Sequence, residues 1–190
     1  MTGAGSGSSV PTDQPLVWNV SGLLGETAGA VRDYAVQGVT IDLGDDLRLA
    51  APIDGRVHLA RTNRGLIVTA DFTTKLALQC VRCLRDMEEP IEVEIEEEVL
   101  PSIDFHTGAP VQLADGDDED IVRLTDHHEL DLEPTVRDAI LLAEPIAPVD
   151  RPDCPGLCIV CGKPLDEGSH DHPDDDIDPR LEALRAFKPD

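Results

Sequence analysis

All five cysteines of this 190-residue chain fall into two short motifs. Cys80 and Cys83 form a C-x2-C, and Cys154, Cys158 and Cys161 form a C-x3-C-x2-C. A C-x2-C spacing lets two thiolates converge on one ion. A glycine directly after it, as at Gly162, permits the turn that aims backbone amides back at the sulfurs. Two such pairs supply the ligands of a tetrahedral zinc site with no open position, and a closed site is structural rather than catalytic.

Two ligand sets fit the spacing. In the first, preferred here, Cys80, Cys83, Cys158 and Cys161 share one ion and tie the end of a sheet to the C-terminal segment, with Cys154 spare. In the second, the C-terminal segment is self-contained: Cys154, Cys158 and Cys161, completed by His170 or His172. Four thiolates could also hold an iron-sulfur cluster, but the usual cluster runs are absent. Thiol-redox chemistry is the alternative function. It would want a C-x-x-C opening a helix within a βαβ unit, and here Cys80 follows a strand pattern. A zinc hydrolase would need an open ligand position and a positioned base; no H-E-x-x-H, G-x-S-x-G or phosphate-binding glycine loop appears. Neither an enzyme nor a small-molecule substrate is expected.

The elements that must position these thiols read mainly as β. Residues 16–20 form a short strand. Residues 25–37 are a helix candidate, with Val31, Tyr34 and Ala35 on one face. Residues 56–61 alternate over most of their length, Asn63-Arg64-Gly65 is a hairpin signal, and residues 66–72 and 75–79 lead into Cys80. Residues 91–96 alternate strictly, with an aliphatic face and a row of carboxylates, Glu92, Glu94 and Glu96. A helix follows the long acidic connector. Leu132, Val136, Ala139, Ile140 and Ala143 form its apolar stripe, Pro134 lies in its first turn and Pro145 ends it. A short final helix is expected from Asp178 and Pro179, with Leu181, Leu184 and Phe187 on one side.

The expected fold is therefore α+β: a mainly antiparallel β meander with one amphipathic helix, a zinc knuckle and a short C-terminal helix. Residues 1–14 are a disordered tail, 15–165 a single β-rich domain with an acidic loop at about 101–128, and 166–190 an acidic tail. Asp115-Gly116-Asp117-Asp118-Glu119-Asp120 lacks the glycine and glutamate of a calcium loop at their places and reads as a solvated acidic loop.

Charge narrows the partners. The formal net charge is -24, and aromatic residues make up only 3%. That balance repels phosphate backbones and anionic membranes overall, favours a basic protein partner, and leaves few rings for stacking on RNA bases. The charge is uneven, however. Residues 48–85 carry seven Lys/Arg against two Asp, whereas residues 86–120 carry fourteen Asp/Glu and no Lys/Arg. A basic protein would meet the Glu92, Glu94 and Glu96 row. A nucleic acid could meet Arg56, Arg61, Arg64, Lys75, Arg82 and Arg85. The first residues lack the apolar run of a signal peptide, and no stretch has the length of a membrane span, so a cytoplasmic chain is expected.

Cys80-Val81-Arg82-Cys83-Leu84 resembles the C-x-R-C-L motif of the YceD-like family, the large ribosomal RNA subunit accumulation proteins. Glu129-Leu130-Asp131-Leu132, Leu142-Ala143-Glu144-Pro145, the C-x-G-L-C-x-x-C-G block from Cys154 to Gly162, and Asp178-Pro179-Arg180 are similar to its later blocks in the same order. The resemblance implies a part in 23S ribosomal RNA accumulation and large-subunit biogenesis. Genes of that family commonly sit beside the gene of a small zinc-binding large-subunit protein, which points to a basic ribosomal protein as partner. Many relatives carry a C-x-C pair where this chain has His170-Asp171-His172, and that replacement raises the standing of the self-contained ligand set.

Overall fold

The computed structural model describes residues 16–45, 47–112, 121–172 and 180. The tail at 1–14, the acidic run at 115–120 and, Arg180 aside, the helix expected over 178–187 lie outside the described residues.

Three long strands dominate: β3 (Arg48–Arg61), β4 (Leu66–Gln79) and β5 (Asp86–Leu100). Before them come β1 (Val17–Asn19), the one-turn helix α1 (Ser21–Leu24) and β2 (Val31–Val39). After them come β6 (Val122–Arg123), β7 (Glu129–Asp131) and α2 (Glu133–Leu142). The main sheet runs β2-β3-β4-β5-β6, antiparallel except where β6 lies parallel to the end of β5. β1 and β7 make a separate antiparallel pair.

Alternation decides which face of the sheet is covered. On β4, Leu66, Val68, Ala70, Phe72 and Leu76 are buried; on β5, Ile91, Val93, Ile95 and Val99 are buried. The register places Phe72 opposite Val93 and Ala70 opposite Ile95, so the apolar rows meet. Leu16, Val20, Leu23 and Leu24 from the N-terminal segment join this core, with Leu124, Leu130, Leu132, Val136 and Ile140 from the later one. The result is two layers, with the other face of the long strands turned to solvent. Thr74 is the one polar residue buried among the described residues, and its hydroxyl donates to the Ala51 carbonyl at 2.7 Å.

Two expectations are corrected. Residues 25–37 do not form a helix: Gly29 sits at φ +94°, and from Val31 the chain pairs with β3 as an edge strand. A helix would have sought cover for Val31 and Ala35, yet both are exposed; Val36 and Val39 are the buried side chains. Ladder hydrogen bonds to β3 outweigh a weak helical stripe interrupted by glycine. The register shifts between Val36 and Val39, where Gly38 at φ +68° donates its amide to Asp54 Oδ1 at 2.8 Å. The described part of the connector at 101–128 is also not all loop, since it holds β6 and an Ile103–Pro110 bridge.

Candidate metal centres

The β4–β5 hairpin closes at the first cysteine pair. The Cys80 amide donates to the Arg85 carbonyl at 2.9 Å, and the Leu84 amide donates to the Cys80 carbonyl at 2.9 Å. The second pair repeats this turn: Cys158 N–H to Lys163 O at 2.7 Å and Gly162 N–H to Cys158 O at 2.8 Å. Each turn needs a left-handed residue directly after its second cysteine, Leu84 at φ 57° and Gly162 at φ 67°. Glycine adopts that conformation freely and leucine does so at a cost. Within each turn the amides point at the first sulfur: those of Arg82 and Cys83 at Cys80, and those of Val160 and Cys161 at Cys158. Neither pair opens a helix, so no helix dipole acts on either thiol.

The structure brings the cysteines together in two groups. Cys80, Cys83, Cys154 and Asp150 converge, with all four ligand atoms within 4.8 Å of one another; so do Cys158, Cys161, His170 and His172. Each group has ligand types and spacing that could hold a metal ion. The preferred expectation, Cys80 and Cys83 sharing a site with Cys158 and Cys161, joins residues that the fold assigns to different groups. The reason lies in how the segment at 148–156 docks. Val81 N–H donates to Pro148 O at 2.9 Å, and Arg82 donates to Cys154 O at 3.0 Å. Gly156, at φ +83°, lies against the Arg82 carbonyl, where a Cβ would come within 3.2 Å of that oxygen. These contacts bring Cys154, expected as the spare cysteine or as a member of the self-contained set, to the hairpin tip. Its sulfur lies 3.7 Å from that of Cys80.

The two groups differ electrostatically. Burial alone would raise Cys80, but the amides of Asp150, Cys83 and Arg82 outweigh it and bring the thiol down to about 7. The Asp150 carboxylate, then burial, push Cys154 up to about 12. In the second group the Cys161 and Val160 amides draw Cys158 down to about 6 against the effect of burial. His170 is oriented by its far nitrogen: Nε2 lies 3.0 Å from the Pro164 carbonyl, leaving Nδ1 aimed at Cys161 Sγ at 3.5 Å. Such a carbonyl contact sets the tautomer that frees Nδ1 as a ligand. His172 Nε2 is buried with no hydrogen-bond partner. An orphaned ring nitrogen beside two thiols fits an ion-binding site.

An ion-pair network links the groups. Asp166 accepts from Arg85 at 2.5 and 2.9 Å and from Arg151 at 2.5 Å. Arg85 follows Cys83 by two residues, and Arg151 adjoins Asp150. Hydrogen bonds from Arg85 first, then from Arg151, hold the Asp166 carboxyl well below the usual carboxylate range. A carboxyl lowered by folding contributes its stability fully above its unfolded pKa, about 3.9, and loses it as pH falls toward the folded value. Asp166→Asn is therefore expected to lower the thermal midpoint at neutral pH, with the difference from the parent closing as the solution is acidified. Melting curves measured down through the carboxylate range check this; a gap independent of pH would refute it.

The basic residues singled out earlier fall into two sets. Arg61 donates to the carbonyls of Leu24, Thr62 and Gly65, Arg82 holds Cys154, and Arg85 holds Asp166. Those three serve the chain's own structure. Arg56 is exposed, 3.7 Å from Asp71, and Lys75 pairs with Glu88 at 3.1 Å; Arg64 is exposed too and also has a partner. Glu92 and Glu94 are exposed on the solvent face of β5, as is Glu96, and the register sets Asp71 directly opposite Glu94. Sequence reasoning missed Asp150 and Asp166. Among thirty-nine acidic residues nothing local marks them, and only Asp150's place four residues before Cys154 hints at a role.

A small two-layer β protein with two cysteine-rich clusters is the class these features define. None of its helices among the described residues is long and apolar enough to cross a membrane. The family model described as large ribosomal RNA subunit accumulation protein YceD matches residues 68–188, and the chain belongs to that family. Uncharacterized proteins of Mycobacterium tuberculosis and Mycobacterium bovis are 33% identical to it over 135 residues, covering 70% of this chain and 61% of theirs. One from Mycobacterium leprae is 30% identical over 131 residues, 68% of this chain and 56% of its own. The chain thus spans about six-tenths of the length of these relatives. No solved structure matches.

Proposed function

We propose that this chain is a non-catalytic factor in building the large ribosomal subunit. It supports 23S ribosomal RNA accumulation in the cytoplasm by holding a basic ribosomal protein. The family's description supplies the ribosomal context. The observation that carries the partner class is the solvent face of β5, where Glu92, Glu94 and Glu96 stand in a row with Asp71 across from Glu94. Arg56 offsets Asp71 at 3.7 Å, while Glu92 and Glu96 face Thr73 and Thr69, so the row presents to solvent carboxylates that a cationic partner would meet. Arg56, Arg64 and Lys75 are exposed, each with a partner in the chain, and an RNA contact would have to compete with those partners. Zinc is the ion this reading gives the Cys158, Cys161, His170 and His172 group, since two thiolates with two imidazoles suit zinc and leave no position for substrate.

Thiol-redox exchange is the second reading, favoured by the 3.7 Å between the Cys80 and Cys154 sulfurs. Five thiols that stay reduced and metal-bound in air would exclude it.

Affinity capture from cells lysed at low salt, with bound protein and RNA both identified, tests the proposal. Recovery of a basic large-subunit protein is expected, falling at least tenfold when Glu92, Glu94 and Glu96 are all changed to Gln, with no loss of fold. Any direct RNA contact should weaken with salt in proportion to the phosphates neutralised. Recovery of neither ribosomal proteins nor 23S precursors would overturn the reading.

A further inference from the structure

We infer that Cys80, Cys83, Cys154 and Asp150 hold a second divalent metal ion, zinc by ligand chemistry, separate from the one at the C-terminal cysteine-histidine group. The ligand atoms already lie within 4.8 Å of one another, close enough for one tetrahedral ion to gather them. Three thiolates and one carboxylate make a donor set too soft for magnesium or calcium and suited to zinc.

Three features of the surroundings support an ion there. Amides aim at the sulfurs: those of Arg82, Cys83 and Asp150 at Cys80, and that of Gly156 at Cys154. Structural thiolate sites need such donors, because each sulfur keeps negative charge after ligation. The Cys80, Cys83 and Cys154 side chains are buried and form their own small cluster, with only Met87, Val149 and Leu157 packed against it among the described residues. That is little apolar cover for a hairpin tip and a docked loop, and an ion supplies the missing cohesion. Counter-charge is also in place. Four anionic ligands on a divalent ion leave a net charge of minus two, and Arg85 and Arg151 lie 3.9 and 3.5 Å from Asp150 Oδ2.

Asp150 is the fourth ligand in this arrangement. It is part-buried, its Oδ1 is 3.4 Å from Cys80 Sγ, and its other oxygen faces the two arginines. The inference makes all five cysteines ligands, three at one ion and two at the other.

Native mass spectrometry of the full chain reconstituted with zinc counts the ions. Two per chain are expected, falling to one in Cys154→Ser. A Cys154→Ser chain that carries as many ions as the parent would overturn the inference. So would a parent whose single ion survives Cys154→Ser, or one in which Cys80 and Cys154 form a disulfide in place of the metal. Cobalt titration of the unmutated chain decides the matter if that variant does not fold. Sulfur-to-cobalt absorption should keep rising to two equivalents, and saturation at one equivalent that is lost in Cys161→Ser would refute the site at the hairpin tip. Asp150→Asn should keep two ions but release one at a chelator concentration at least tenfold lower than the parent does; an unchanged release profile removes Asp150 from the ligand set. These readouts do not involve ribosomal partners, so their failure is distinct from failure of the proposed function.

Discussion

Stripping metal from the full chain with a strong chelator is expected to abolish amide-exchange protection across residues 148–172 and leave β3, β4 and β5 protected. The segment has no helix and no long strand; its regular structure is a Leu157–Pro164 bridge and tight turns. Ordering a residue costs roughly 1–2 kcal/mol of backbone entropy. The apolar cover available to offset it is small, consisting of three cysteines with Met87, Val149 and Leu157. Several of its larger apolar side chains face water: Ile159 is 101% exposed and Val160 51%. Beyond the Arg85 and Arg151 ion pairs to Asp166 and the hydrogen bonds to Val81 and Arg82, metal ligation is the source of order the proposed sites would add. The amides to follow are those of Cys158, Gly162 and Leu165, which donate to Lys163, Cys158 and Gly156. The long strands bury a continuous core that includes no cysteine, so their protection should not move. Identical exchange with and without chelator would show that the turns hold themselves and that ligation is incidental to the fold.

The same contrast explains what could be read from the residues alone. Local patterns with one physical solution were legible. Strict alternation at 91–96 has a single buried face, Asn63-Arg64-Gly65 has to turn, and the stripe from Leu132 to Ala143 with Pro134 at its start is α2 to within a residue or two at each end. The stretch at 25–37 was not legible, because the choice was made by β3, a partner distant in the chain, which supplies hydrogen bonds that no local propensity reports. β7, which completes a pair with the N-terminal β1, was missed for the same reason. At the candidate metal centres, the residue types and the turns could be seen, since C-x2-C fixes its own geometry. The partition could not. Whether Cys80 meets Cys154 or Cys158 depends on the docking of Pro148 and Cys154 on Val81 and Arg82, contacts that cross about seventy residues of chain. Asp150 was hidden by abundance, since the chain holds thirty-nine acidic residues and only geometry sets one of them among thiols.

Phe72→Ala is expected to be the most damaging single change in the sheet, at about 3–5 kcal/mol. Among the described residues Phe72 is the largest fully buried side chain, and aromatic residues are too scarce in this chain for a neighbouring ring to fill the space. Its ring lies over Gly55, its cross-strand partner on β3, which has no side chain of its own. The two residues are a matched pair: a Cβ on Gly55 would come within 2.6 Å of the Phe72 ring and would also collide with the Asp71 carbonyl oxygen. That second collision decides how the substitutions combine. Removing the ring relieves only part of the clash, because the nearer atom belongs to the β4 backbone. Gly55→Ala should therefore cost about 1–3 kcal/mol by overpacking, and the double variant should remain less stable than Phe72→Ala alone. Urea unfolding of the parent, both single variants and the double variant measures the cycle. With total stabilities of small domains at about 5–15 kcal/mol, the Phe72 change alone can leave a sizeable unfolded fraction. If Gly55→Ala rescued Phe72→Ala, the methyl group would be filling the vacated space, and β3 and β4 would have to lie farther apart than the described register allows.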